Sequence, residues 1–286
     1  MISKENVGIP LHIILKIIKF LELHYDKIHN LKWIQNKLIG ISSGERNYHK
    51  IKFPINFKTQ EGTKILTSLI GDGGLGFRSN LRAWAVPHYA QFRHKELLNH
   101  YVKAVKKTFG INIKKGEKIE LPAVCGYIIV ASGYFVPGHK SFTNPSFPLK
   151  KYKESLFSTS LNWLISDDGC FSQNNFSISS GAYYLNKKPL NYLKTINEII
   201  RKKFNNINTR FILDKKWLTY NLELTGKLSA MAELDNLFKK YSKGVFAIKK
   251  EKALRYYLYT HKYSLNEYLN RYDKNGNKNK LHRYWG

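Results

Sequence analysis

One device occurs twice in this chain and limits what the chain can fold into. Its first copy is Ile65-Leu66-Thr67-Ser68-Leu69-Ile70-Gly71-Asp72-Gly73, and its second is Leu161-Asn162-Trp163-Leu164-Ile165-Ser166-Asp167-Asp168-Gly169. Each reads as an apolar helix that stops at an acid followed by glycine. Glycine is expected to end the helix because it tolerates backbone angles that other residues avoid. The acid then stands at a helix C-terminal end, where the macrodipole disfavours a carboxylate unless a cation compensates. Asp72 and Asp168 are 96 residues apart, which suits one such unit in each half of an internally repeated fold.

The rest of the chain is strongly basic. Across 286 residues, 48 Lys+Arg face 20 Asp+Glu, a formal net charge of +28. That excess is beyond what solubility needs and points to a polyanion. Nucleic acid is the default and an anionic membrane surface the rival; charge alone does not separate DNA from RNA. Hydrophobic residues make up 43%, enough for a sizeable core. The length suits two modest domains or one pseudo-symmetric one.

Cys125 and Cys170 have no paired-ligand spacing. A thiolate zinc site is excluded, no disulfide framework is indicated, and a reducing compartment fits best. The N-terminus lacks a signal-peptide cleavage pattern. In the apolar run 9–23, His12, Lys16, Lys19 and Glu22 recur every three or four residues. The spacing predicts an amphipathic core helix, not a membrane span. The expected location is the cytoplasm of a prokaryote, or an organelle matrix for an organelle-encoded protein.

Three regions are expected. Residues 1–56 read as a helical extension, with helices over 9–23 and 31–38 and a break at Gly40-Ile41-Ser42-Ser43-Gly44. The extension covers the main domain or forms a weak helix-turn-helix. Residues 57–150 form a first unit: the helix before Asp72, strands at 75–79 and 82–92, a helix at 95–109 ended by Gly110, and strands near 111–121 and 127–135. Pro137, Gly138, Pro145 and Pro148 mark a linker. Residues 151–286 repeat the order: a helix over 156–167, strands near 170–180 and 181–185, a helix at 190–204, and strands at 209–213 and 217–224. Helices near 227–241 and 245–259 follow, then a polar basic tail. The fold class is α+β, a pseudo-twofold repeat of helix-β-β-helix-β-β units.

If the two motif helices pack together, Asp72 and Asp168 lie close, and their repulsion is relieved by a cation. Carboxylates with waters and phosphate oxygens are what Mg2+ prefers. Two metals a few ångströms apart can activate water and stabilise the leaving oxygen in phosphodiester hydrolysis. Asp-Gly is also a common turn pair, so one copy alone would mean little. Two copies, each closing a similar apolar helix and opening a repeat, carry the metal reading.

The two motifs resemble those of the LAGLIDADG homing endonucleases, in the single-chain form with two motifs, over roughly residues 57–260. The resemblance implies two saddle-shaped antiparallel sheets, the motif helices packed between them, and sheets lying in the major groove of a long duplex DNA target. It implies that Asp72 and Asp168 hold two or more Mg2+ ions, with Mn2+ or Ca2+ able to substitute for binding, and that the backbone of Gly71 contributes. Asp167 is a further acid at that place. Both strands are then cut across a minor groove, leaving short 3′ overhangs. Trp163 and Asp167 stand where the family usually has small residues.

The resemblance further implies basic residues near the scissile phosphates. Arg93 is the candidate in the first half and Lys249, in Val245-Phe246-Ala247-Ile248-Lys249, in the second. Base readout falls to strand faces of one parity: Arg78, Asn80 and Arg82, then Gln173, Asn175, Ser177 and Ser179, then Thr219 and Asn221. An ordinary solvated sheet face alternates in the same way.

Three functions follow. The first is a Mg2+-dependent, site-specific double-strand DNA endonuclease, a monomer with internal pseudo-symmetry, serving a mobile intron. The second is a nonenzymatic binder of the same fold, an intron-RNA maturase or a DNA-binding regulator, favoured by Trp163 and Asp167. The third is a basic RNA-associated structural protein, which leaves the repeated acid-glycine ends unexplained.

Overall fold

A computed structural model describes residues 41–42, 48–78, 83–92, 94–133, 135, 153–172, 175–182, 191–204, 207–216, 219–226 and 228–241. The helices expected at 9–23, 31–38 and 245–259, the linker prolines and the basic tail lie outside these residues. Two short strands, β1 (Ile41–Ser42) and β2 (Tyr48–His49), pair antiparallel ahead of the first motif.

The first motif forms helix α1 (Gln60–Ile70). Thr59 caps it, accepting from the Gly62 amide at 3.0 Å. Strands β3 (Gly73–Arg78) and β4 (Ala83–Ala90), helix α2 (Lys95–Phe109), a three-residue strand β5 (Lys118–Glu120) and helix α3 (Ala123–Ala131) follow. Gly110 ends α2 at a φ of 77°, the left-handed cap its position predicted. The second motif forms α4 (Glu154–Asp168), followed by β6 (Gly169–Ser172), β7 (Asn175–Ala182), α5 (Asn191–Lys203), β8 (Ile207–Asp214), β9 (Thr219–Gly226) and α6 (Leu228–Tyr241). Among the described residues the first sheet has the order β3-β4-β5 and the second β6-β7-β9-β8, all pairs antiparallel.

Three sequence expectations change. The strand expected at 127–135 is helix α3 over Ala123–Ala131. Its run Tyr127-Ile128-Ile129-Val130 favours a strand locally, but the helix is apolar all round and packs hard on β4. A Cβ on Gly126 would stand 1.7 Å from the Ala85 carbonyl oxygen, so only glycine lets the helix sit that close. The strand expected over 111–121 shrinks to Lys118–Glu120. The strand expected over 170–180 is two, β6 ending at Ser172 and β7 starting at Asn175, paired antiparallel.

The glycines of the two motifs act differently from expectation. Helix α1 stops at Ile70, and α4 runs through Asp168. Gly169 caps α4 at φ −86° and ψ 153°, an extended conformation open to any residue. Close approach requires it: a Cβ there would lie 2.4 Å from the Ile165 carbonyl oxygen, and one on Gly73 would lie 2.5 Å from the oxygens of Ser68 and His88.

Helices α1 and α4 pack directly on each other. Small polar residues line this part of the core, including Thr63, Thr67, Ser68, Ser158, Thr159, Ser160 and Ser166, all buried. Thr67 Oγ1 and Ser160 Oγ share a hydrogen bond across the helices at 3.0 Å. Helix α6 closes the far side, with its Leu237 carbonyl accepting from Ser158 Oγ at 3.2 Å. Around this pair a single apolar cluster runs from Ile51 to Phe238 and fuses both sheets to the central helices.

Candidate active site

Packing α1 against α4 brings the C-terminal ends of both motifs to one place. A Cβ added to Gly71 would come within 2.3 Å of Asp167 Oδ2, so the missing side chain of one motif makes room for the acid of the other. Asp167 Oδ2 also accepts a long hydrogen bond, 3.4 Å, from the Asp72 backbone amide. Asp167, the further acid of the second motif, is thus turned inward, against the first motif.

Strand β4 delivers the next two partners. Tyr89 and Gln91 are two residues apart and so project to the same side. The Tyr89 hydroxyl donates to Asp167 Oδ1 at 2.7 Å. Gln91 Nε2 donates to the same oxygen at 3.1 Å and to Asp72 Oδ2 at 2.5 Å. Gln91 Oε1 accepts from the His94 amide at 3.3 Å, which fixes the orientation of its amide. A continuous chain therefore runs from Tyr89 through Asp167 and Gln91 to Asp72.

Electrostatics follow from this packing. Burial pushes the Asp167 carboxyl well above its ordinary range, and the Asp72 and Asp168 charges push the same way; the Tyr89 hydroxyl opposes them. Burial also raises the Tyr89 phenol, helped by the Asp167 charge. Asp72 is exposed and Asp168 half-buried. Burial, and after it the Asp168 charge, raises the phenol of Tyr192 on α5.

Trp163, the bulky residue of the second motif, is completely buried. Its ring lies 5.9 Å from that of Tyr89, which in turn lies 4.8 Å from that of Tyr101. The tryptophan thus supports the strand that carries Tyr89 and Gln91.

The strand-face residues divide. On the second sheet Phe176, Ile178, Leu222 and Leu224 are buried, and Ser177, Ser179 and Asn221 lie half-buried on the opposite parity. Register places Ser177 opposite Glu223, Ser179 opposite Asn221, and Asn175 opposite Thr225. Thr219 shares the parity of Asn221. The same face carries Arg210, which sequence reasoning missed: its Nη2 lies 2.8 Å from Glu223 Oε2. Arg78 ends β3. Asn80, Arg82, Arg93, Gln173 and Lys249 lie outside the described residues.

Gln91 and Tyr89 are the site residues that sequence reasoning missed. The parity of Tyr89-Ala90-Gln91 at a strand end was visible, but nothing in it says which helix end that strand meets.

Among the described residues no group of three or more His, Cys, Asp or Glu gathers as a ready-made metal cage. That arrangement still suits Mg2+, which is held by one or two carboxylates and keeps waters and substrate phosphates as its other ligands. Asp72 and Asp168 supply such oxygens, whereas the oxygens of Asp167 already accept from Tyr89, Gln91 and the Asp72 amide.

No protein-family model and no curated protein sequence matches this chain. Solved structures do. The chain is similar to the homing endonuclease I-DmoI, in mesophilic variants, at 13% identity and a TM-score of 0.46, covering 70% of this chain and 100% of that one. It is similar to the homing endonuclease I-WcaI bound to its DNA recognition sequence, at 13% identity and a TM-score of 0.44, covering 72% and 88%. A further likeness is to the N-terminal LAGLIDADG domain of DUF199/WhiA, at 13% identity and a TM-score of 0.38, covering 64% and 84%.

Proposed function

We propose that this protein is a LAGLIDADG-type endonuclease that binds a long duplex DNA target and hydrolyses both strands with divalent metal. The observation that carries the reading is the meeting of the two acid-bearing helix ends, Gly71-Asp72 and Asp167-Asp168, at the contact of α1 with α4. Two carboxylates gathered in a chain of net charge +28 require a compensating cation and lie within reach of a polyanion.

Asp72 and Asp168 would hold the metal, which would supply an activated water and charge stabilisation at the scissile phosphate. The chain's own residues do the rest. Gln91 orients the Asp72 carboxylate by donating to Oδ2. Arg93 and Lys249 are proposed to place positive charge near the two phosphates. Ser177, Ser179, Thr219 and Asn221, with Asn175, Gln173, Arg78, Asn80 and Arg82, are proposed to line the major groove, where polar side chains read base edges. Exposed lysines on the flanking helices, such as Lys103, Lys106, Lys107, Lys202 and Lys203, contact phosphates and position the duplex without encoding sequence. The working form is a pseudo-symmetric monomer, and its biological role is mobility of an intron.

Cleavage of a randomised duplex library in Mg2+, compared with Ca2+, tests this reading. Recurrent breaks at one long site with short 3′ overhangs, only in Mg2+, are expected. Selective retention of one site without breaks would contradict the nuclease and point to a DNA-binding protein. Absence of both would make intron RNA the next partner to test.

A further inference from the structure

The polar face of the second sheet carries a row of side chains that begins beside the second motif. Cys170, two residues after Asp168, stands opposite Ser177, Ser177 opposite Glu223, and Glu223 opposite Arg210. The row crosses four strands, about 14 Å at the usual strand spacing. Leu222 and Leu224, the neighbours of Glu223 on β9, are buried, so the row lies on the side away from the core.

At its outer end Arg210 Nε donates to Glu223 Oε2 at 2.8 Å, and Nη2 lies 2.8 Å from the same oxygen. The Glu223 side chain is 16% exposed and that of Arg210 is 65% exposed. The carboxylate is seated in the sheet and the guanidinium stands out from it. An exposed ion pair of this kind adds little to stability, because water screens it. What it does supply is orientation. One oxygen holds the Nε–Nη2 edge and so fixes the plane of the group. The other edge, one N–H each from Nη1 and Nη2, is the donor pair that matches guanine O6 and N7 in the major groove. An arginine without such a partner keeps its rotamers and follows the phosphates instead, which carries no sequence information.

We propose that Arg210 is a specificity-determining residue that reads one guanine in the half of the target lying on the second sheet. Glu223 is the positioning residue that holds the guanidinium for that contact. This assignment rests on the reading that duplex DNA lies along the sheets; it does not require cleavage.

The test uses the full chain and a randomised duplex library, with preferred sites recovered by retention in Ca2+ and read position by position. Wild type is compared with Arg210→Ala, Glu223→Ala, Glu223→Gln and the double variant Arg210→Ala with Glu223→Ala. In wild type one position should prefer guanine about tenfold, the discrimination of a good bidentate contact. Arg210→Ala should erase that preference and leave the other positions as they were. Glu223→Ala removes both carboxylate oxygens and should lower the preference to about threefold or less, the loss expected when a long side chain is no longer held in its bound rotamer. Glu223→Gln keeps an acceptor oxygen for Nε and should retain most of the preference. In the double variant the loss of Glu223 should change nothing further, because it acts through Arg210.

A merely structural pair would move all positions together, and that result would overturn the proposal. So would an Arg210→Ala protein that keeps the guanine while binding every sequence more weakly, with a salt slope lower by about one, because Arg210 would then be a phosphate contact. A guanine preference unchanged in Glu223→Ala would overturn the role of Glu223. A wild-type protein that retains no preferred site would contradict the DNA reading itself, whereas a selected site with no position answering to Arg210 would overturn this assignment alone.

Discussion

The two motif helices begin from similar sequence and end differently. Helix α1 stops at Ile70, so Gly71 and Asp72 form a turn; α4 continues to Asp168 and carries Asp167 into the space beside Gly71. The sheets differ too. Among the described residues the first unit has a three-stranded sheet with helix α3 on β4, whereas the second has four strands with a polar face crossed by the Arg210–Glu223 pair. A repeated motif has thus produced two different helix ends and, among the described residues, two different sheets. Repetition in sequence sets the plan, and single-residue differences at matching positions decide what each half does.

Trp163 is the largest such difference, because Thr67 holds its place in the first motif. Replacing it by alanine should cost about 3–5 kcal/mol, the usual penalty for emptying an aromatic site in a closed core. Denaturant unfolding would measure it, and a loss below about 1 kcal/mol would mean that the ring does not support β4. Next comes Gly71→Ala. The new methyl must displace the Asp167 carboxylate, at about 1–3 kcal/mol for an overpacked site. Unchanged stability would mean that Asp167 is not held in that space.

A smaller effect of opposite sign is expected at Asn162. Its side-chain amide is completely buried and has no hydrogen-bond partner among the described residues, and the matching residue of the first motif is Leu66. Asn162→Leu should stabilise the protein by about 1–2 kcal/mol, because an unpaired buried amide costs about that much. A loss of stability would mean that the two helices are not interchangeable at this position.

The mildest test uses one cysteine from each half. Cys125 is buried and its thiol is pushed up to about 12 by burial, so a maleimide should leave it unmodified in the folded protein. Cys170 is exposed, pairs in register with Ser177 on the polar face, and should react quickly. Bound target DNA should slow that reaction. Unchanged labelling of Cys170 in the complex would move the DNA off this sheet.

Much of this was legible in the sequence. Acid-glycine repetition located both motif helices, and alternation in 176–179 and 219–224 assigned the buried and polar faces of β7 and β9. Local patterns failed where tertiary packing decides. The aromatic and β-branched run at 127–130 reads as a strand and folds as a helix, because an apolar segment buried against β4 leaves no periodic signature. Gly126, which permits that packing, acts through contact with Ala85, 41 residues away. The hydrogen-bonded chain at the helix ends was hidden for the same reason. Tyr89, Gln91 and Asp167 meet across the helix contact, 76 to 78 residues apart in sequence, and each alone reads as an ordinary polar residue at the end of an element.

The proposed function stands on Asp72 and Asp168 as the two metal-holding acids. Strand-resolved cleavage by Asp72→Asn and Asp168→Asn, with DNA binding measured in parallel in saturating Ca2+, tests it most directly. Each single variant should lose double-strand cleavage while still retaining the target duplex. Double-strand cutting by both variants at the wild-type rate would contradict the assignment and move the chemistry away from these helix ends.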